Sequence, residues 1–215
     1  MKLFNIKRTA AALALVIGVS ACEDGFEELN MNPNSPEQVP ASLLLPTVLR
    51  NGINENAGKA WGTGNVVMQY SAKIQFTNED RYNWGPESNP YNSYYNIMRD
   101  LENIKRIATE SGNNNYRGVA MVYQSWLYSI LTDSYGDVPF SEATMAKEGT
   151  NLPTFDSQES IYQSIIANLS EANNLLDVNG QGIEGDILFS GDILRWKKFA
   201  NSLLLRTHLR LSDRI

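Results

Sequence analysis

The sequence predicts a mainly α-helical fold in which helix hairpins stack as an α-solenoid or an irregular bundle. Three observations carry that prediction. Five stretches repeat apolar residues at three-and-four spacing; no long run alternates apolar with polar residues; and Gly, Pro, Asn and Asp stand where helices start and stop. A helix with one apolar face needs a neighbour to bury it, so consecutive amphipathic helices imply hairpins that pack on one another.

The first element is an address. Lys2, Lys7 and Arg8 precede an apolar stretch, Thr9 to Ser20, that ends in small residues, the pattern of a secretory signal over residues 1–21. It is too short and wrongly flanked for a transmembrane helix. The stretch closes on Val19-Ser20-Ala21-Cys22, which resembles a bacterial lipobox, so Cys22 is expected to be acylated and to become the new N-terminus. Each buried CH₂ contributes about 0.8 kcal/mol, so several acyl chains hold a protein on a bilayer where a single chain does not. Glu23 and Asp24 look like the acidic export signal of surface lipoproteins in Bacteroidota-type bacteria. Residues 22–40 read as an extended tether, because the prolines of Asn32-Pro33-Asn34-Ser35-Pro36 fix φ and disfavour helix at the residues before them.

The helical domain occupies residues 41–215. Leu43, Leu44, Val48, Leu49 and Ile53 suit a first helix from Ser42, with Pro46 tolerated in its first turn and Gly58 beyond its end. Lys59 to Asn89 is mixed, with Trp61, Tyr70, Phe76, Tyr82 and Trp84 scattered among Gly and Asn and a helical turn or two near Val66 to Tyr70. Asn89-Pro90 opens the second helix, which buries Tyr91, Tyr94, Tyr95, Met98, Leu101, Ile104, Ile107 and Ala108 and ends at Ser111-Gly112. Val119, Val122, Tyr123, Trp126, Leu127, Ile130 and Leu131 define the third, stopped near Tyr135-Gly136. The fourth runs from Asp156 to about Asp177, with Asp156 and Glu159 spaced as a capping box. A glycine-rich connector, Val178 to Gly191, has room for a short hairpin around Ile187-Leu188-Phe189. The last helix starts at Asp192 and carries Ile193, Trp196, Phe199, Ala200, Leu203, Leu204 and Leu211. The tetratricopeptide consensus itself is not readable.

Composition excludes several functions. None of the 24 acidic residues and three of the 18 basic ones precede Cys22, so residues 22–215 carry 24 acidic against 15 basic groups. Phosphate would be repelled by such a body, which argues against nucleic acid as a partner. One Cys and one His leave no intramolecular disulfide and no Cys/His zinc site. No dinucleotide or Walker A loop is present, the Asn-rich run Asn113 to Asn115 makes no calcium cage, and no cofactor is expected.

Tyr123-Gln124-Ser125-Trp126-Leu127-Tyr128, leading to Tyr135-Gly136-Asp137-Val138-Pro139-Phe140, resembles the segment by which SusD/RagB-type lipoproteins are recognised. Ile161 to Ile166, Glu171 to Leu176 and Trp196 to Leu203 keep that family's order, as do Asn32-Pro33-Asn34 and Leu43-Leu44-Leu45-Pro46. The resemblance implies tetratricopeptide-like helix pairs packed against a ligand-carrying region. It implies a surface-exposed, lipid-anchored protein of the outer membrane, a lid on a SusC-like TonB-dependent barrel that captures oligosaccharide, or in some members peptide, for import without chemistry of its own. Family members are about twice this length, so the chain is expected to be an N-terminal part of such a protein.

Sugars present apolar CH faces and a polar rim, so they are bound by aromatic rings with Asn, Asp and Arg at the edge. Arg81-Tyr82-Asn83-Trp84, followed by Glu87 and Asn89, has that composition in a loop, where exposed aromatics are costly without function. Trp61 and Asn65 repeat it more weakly, whereas Trp126 and Trp196 fall on apolar helix faces and read as core. Asp133 and Asp137 bracket a turn and invite a glycosidase reading, set against ordinary service as acceptors of turn amides. His208 has no Ser or Asp at triad spacing. Arg206, Arg210 and Arg214 form a row that reads as a solvated or docking face. Two other classes stay open beside nutrient binding: a helical scaffold that only docks protein, and an extracytoplasmic glycan hydrolase.

Overall fold

The structure is a computed structural model that describes residues 39–83, 85 and 89–213, with the backbone alone for Asn89 and Pro90. The signal, Cys22, the tether to residue 38, Trp84, Glu87 and Arg214 lie outside the described residues. All elements below belong to the unit Pro40–Ile215.

Five long helices make up the fold: α1 (Ala41–Lys59), α2 (Asn89–Ser111), α3 (Asn114–Tyr135), α4 (Gln158–Leu175) and α5 (Ile193–Leu211). A π-helical turn, Ala60–Gly64, prolongs α1, and a 3₁₀ turn, Met145–Glu148, lies between α3 and α4. The described residues contain no strand, only the isolated bridge Val138–Asp156. Each helix packs most extensively on its sequence neighbours, while α3 also touches α1 and α5. The pairs Tyr91–Tyr135, Tyr95–Tyr128 and Glu102–Gln124 advance along α2 as they retreat along α3, so this pair is antiparallel. Arg117–Glu171 and Gln158–Thr132 give the same sense to α3 and α4, and Lys197–Asn173 and Arg210–Tyr162 to α4 and α5. The array is thus a run of antiparallel hairpins, the stacked architecture the periodicity predicts.

The turn between α2 and α3 needs two residues. Gly112 takes a left-handed φ of 70°, open to Gly at little steric cost, and the Asn113 side chain then accepts from the amides of Asn115 and Tyr116 to start α3. That start lies earlier than the apolar pattern suggests. α3 is buried on nearly every side, from Asn115 through Ser125 with few breaks, because all four other long helices touch it. Where α1 crosses it, Gly52 leaves the space that the Tyr123 ring fills, and the Tyr123 hydroxyl donates to the Leu49 carbonyl at 2.7 Å. Trp196 is fully buried as expected, and Trp126 packs partly buried against the same core.

Four local expectations are corrected. α1 begins at Ala41, which places Pro46 beyond its first turn, and continues through Gly58, since helix interiors tolerate an exposed glycine at about 1 kcal/mol. With no N–H at Pro46, the Ser42 carbonyl lacks its helical partner, and the backbone at Gly185 comes up against it. The N-cap of α4 is Ser157, whose hydroxyl accepts from Ser160, because Asp156 is turned toward residues 140 and 141. No hairpin forms at 187–189. The Asp186 carboxylate instead gathers the amides of Leu188 (2.9 Å), Phe189 (3.1 Å) and Gly191 (2.9 Å) into a turn and accepts from the Trp196 indole at 2.8 Å.

Candidate ligand-binding surface

Residues 60–83 leave the helical array and present aromatic rings to solvent. The π-helical turn carries Trp61, 79% exposed, and the helical turn Asn65–Val67 follows it. The Asn65 carbonyl accepts from Tyr70 (2.8 Å) and Ser71 (3.3 Å), which reverses the chain. Farther on, the Lys73 amide donates to Asp80 (3.1 Å) and the Lys73 ammonium pairs with Glu79 (2.8 Å). That pairing holds the Glu79 carboxyl below its usual range. A compact turn, closed by Asn83 N–H to Asn78 (2.8 Å), contains Arg81 and Tyr82, and the Tyr82 hydroxyl reaches the Val67 carbonyl at 3.4 Å.

The rings of Tyr70, Phe76 and Tyr82 are 80%, 87% and 53% exposed. Gln69, Phe76 and Tyr82 all hold left-handed backbone (φ 60°, 54° and 54°). Such conformations cost about 1–3 kcal/mol each outside Gly and cluster where a structure serves function. Such rings offer flat apolar faces, and the tyrosines add a hydroxyl at the edge.

The structure brings Arg81, Tyr82 and Asn83 into one exposed turn, with Trp61 in the same segment. Asn65 serves its turn through its backbone, and Asn89 is the first residue of α2, its side chain outside the described residues. Tyr70 and Phe76 are exposed in the same segment although their spacing gave no sign of it; the signal available was their presence in the same Gly- and Asn-rich stretch.

Asp133 and Asp137 take structural partners. Asp133 accepts from the Tyr162 hydroxyl and pairs with Arg210 at 2.8 Å, and Arg210 Nε donates to the Tyr162 oxygen at 3.1 Å, so α3, α4 and α5 meet at one point. Burial first, and then the Asp133 carboxylate, pushes the Tyr162 phenol up. Asp137 accepts the Gln158 amide at 2.9 Å, the first residue of α4. Of the arginine row, Arg206 and Arg210 are exposed, as a solvated face would be, and Arg210 also belongs to this cluster; His208 is exposed on the same helix.

The model of a family described as starch-binding and associating with the outer membrane, SusD-like, matches residues 33–215. The chain belongs to the SusD-like family. Among solved structures, a SusD/RagB family protein from Bacteroides thetaiotaomicron superposes with a TM-score of 0.72 at 27% identity, over 83% of this chain and 39% of that one. A SusD homologue from Bacteroides fragilis gives 0.70 at 24% identity, over 82% and 36%. A protein described as chitin-binding gives 0.66 at 27% identity, over 80% and 38%. The chain therefore spans well under half the length of the SusD-like proteins it matches. No protein of curated function matches it.

Proposed function

We propose that this SusD-like chain belongs to a surface lipoprotein of the outer membrane that captures an oligosaccharide on the 60–83 surface and passes it to a SusC-like TonB-dependent barrel. The observation that carries the reading is the set of exposed rings, Trp61, Tyr70, Phe76 and Tyr82, on a segment tied by its own hydrogen bonds. Stacking on these rings removes apolar sugar faces from water, and Arg81 and Asn83 supply donors to the hydroxyl rim. Acylated Cys22 anchors the protein, and capture proceeds by binding alone. The names of the relatives support a glycan as the nutrient, starch for the family and chitin for one structure.

Calorimetry with maltohexaose and chitohexaose tests the reading. One of them is expected to bind, and Trp61→Ala or Tyr82→Ala to weaken it about tenfold, the loss of one aromatic contact worth about 1.4 kcal/mol. Unchanged affinity in both variants would remove the 60–83 surface from the mechanism. Separately, Cys22→Ala should release the protein from membranes, and continued retention would sink the anchor.

A further inference from the structure

A stripe of polar side chains runs along one face of α2. Asn92, Asn96, Arg99, Asn103 and Arg106 follow one another at steps of four, three, four and three residues, which places them in line on a helix. Across from them stands the loop after α3. Between the two lie a recess of about 420 Å³, bounded by Tyr91, Asn92 and Asn96 on one side and Pro139 and Pro153 on the other, and a second of about 540 Å³, between Arg99, Asn103 and Arg106 and Phe140, Met145 and Lys147. Ala143 and Thr144 border both recesses, so the two are successive lengths of one groove. Each falls within the size range of small-molecule sites, about 300–1,000 Å³.

The loop is fixed in place by its own hydrogen bonds and by contacts to α2 and α3. The Asp156 carboxylate accepts from the amides of Phe140 and Ser141, both at 2.9 Å, and from the Ser141 hydroxyl at 2.9 Å. Burial opposes ionisation of Asp156, but those hydrogen bonds outweigh it and hold the carboxyl below its usual range. Glu142 takes the Thr154 amide at 2.8 Å and its hydroxyl at 3.0 Å. The Tyr95 hydroxyl of α2 donates to the Pro139 carbonyl at 2.6 Å, and Phe140 rests on Tyr128 of α3 with ring centroids 4.5 Å apart. Thr144, in the wall between the recesses, keeps a left-handed φ of 66°, a strained conformation for a β-branched residue. A gap bounded this way does not close by side-chain collapse.

We propose that this groove is a second carbohydrate site, separate from the 60–83 surface, that takes an uncharged oligosaccharide in extended form along α2. The proposal rests on the glycan-binding reading above and shares no residue with the surface described there. Each Asn amide carries a donor and an acceptor side by side and so suits neighbouring sugar hydroxyls, while Tyr91 and Phe140 offer apolar ring surface. The arginines are already matched, Arg99 with Asp100 (3.6 Å) and Arg106 with Glu110 (2.8 Å), and Glu148 lines the same recess as Lys147, so no net charge is selected. A peptide bound as an added strand would need a strand edge, and the described residues include no strand.

The test is nuclear magnetic resonance on the full chain labelled with ¹⁵N, titrated with maltohexaose and chitohexaose, reading the side-chain amides of Asn92, Asn96 and Asn103. Those signals should shift with one of the glycans, and in the double variant Asn96→Ala/Asn103→Ala, both on the helix surface, the remaining Asn92 signal should need about tenfold more glycan to shift, with unchanged melting. The same shifts should persist in Trp61→Ala, which would support the groove even if the 60–83 surface proved irrelevant. Shifts confined to residues 60–83 would overturn the groove and leave the proposed function standing. Silence everywhere with both glycans would overturn both. Shifts at the three amides with the tetrapeptide Gly-Ser-Gly-Ser and with neither glycan would overturn the carbohydrate assignment.

Discussion

Two connectors of this protein share a composition rich in Gly, Asn and Asp and have opposite fates. The connector 176–192, between α4 and α5, is closed by buried or half-buried acceptors: Asn115 takes the Asp177 amide (2.8 Å) and donates to the carbonyls of Asp177 (2.9 Å) and Gln181 (2.7 Å). Asn113 donates to Gly182 at 3.1 Å, Tyr116 exchanges hydrogen bonds with Glu184, and Asp186 gathers the final turn against Trp196. The segment 60–83 is held by half-buried contacts within itself, such as Lys73–Glu79, and leaves its rings in water. The difference separates buried polar residues that hold the fold from exposed ones that do not. A buried Asn or Asp closes a loop onto the core, where an unmade hydrogen bond is costly. Arg81 and Asn83, exposed beside rings, carry no such burial cost, and they are the residues proposed above to meet a ligand.

Removing the strongest staple should separate the two regions most clearly. Asp186→Ala orphans three backbone amides and an indole and should cost about 3 kcal/mol in denaturant unfolding, with the 176–192 connector losing hydrogen-exchange protection. Asn115→Ala removes one acceptor and two donated bonds and should cost about 2 kcal/mol by the same measurement. Trp61→Ala, on a ring already in solvent, should change stability by less than about 0.5 kcal/mol; a larger loss would mean that this ring is structural after all. Acid makes the smallest change. Because Lys73 depresses the folded pKa of Glu79, the contribution of the pair is fully present above the ordinary carboxylate range and is lost as pH falls through the lowered value. As pH falls through that lowered value, resonances of residues 73–83 should shift while the helices keep their signals, and a simultaneous loss of helix would contradict the local character of this contact.

The helices were legible because a helix face repeats within four residues. The ends of α2, the Tyr135-Gly136 stop and the Asp192 cap of α5 follow from local signals, as the structure bears out. Where expectation failed, two local signals competed: Asp156 and Ser157 both suit an N-cap, and the claim of residues 140 and 141 on Asp156 decided between them. The site was legible in part. An aromatic cluster among Gly and Asn marks the segment, but the exposure of Tyr70 and Phe76 depends on how the chain reverses at Asn65, and the α2 groove depends on a loop some 40 residues away.

By itself, then, the sequence determined the helical class, the order of the hairpins and the family, because periodicity, capping residues and a contiguous motif are all local. The tertiary structure alone decided which polar residues hold the fold and which face solvent. Asp133 reads as a turn residue or a catalytic carboxylate until Tyr162 and Arg210, brought from α4 and α5, close on it. The physical reason is that burial and hydrogen-bond partners are set by contacts between segments far apart in the chain, and no local pattern records them.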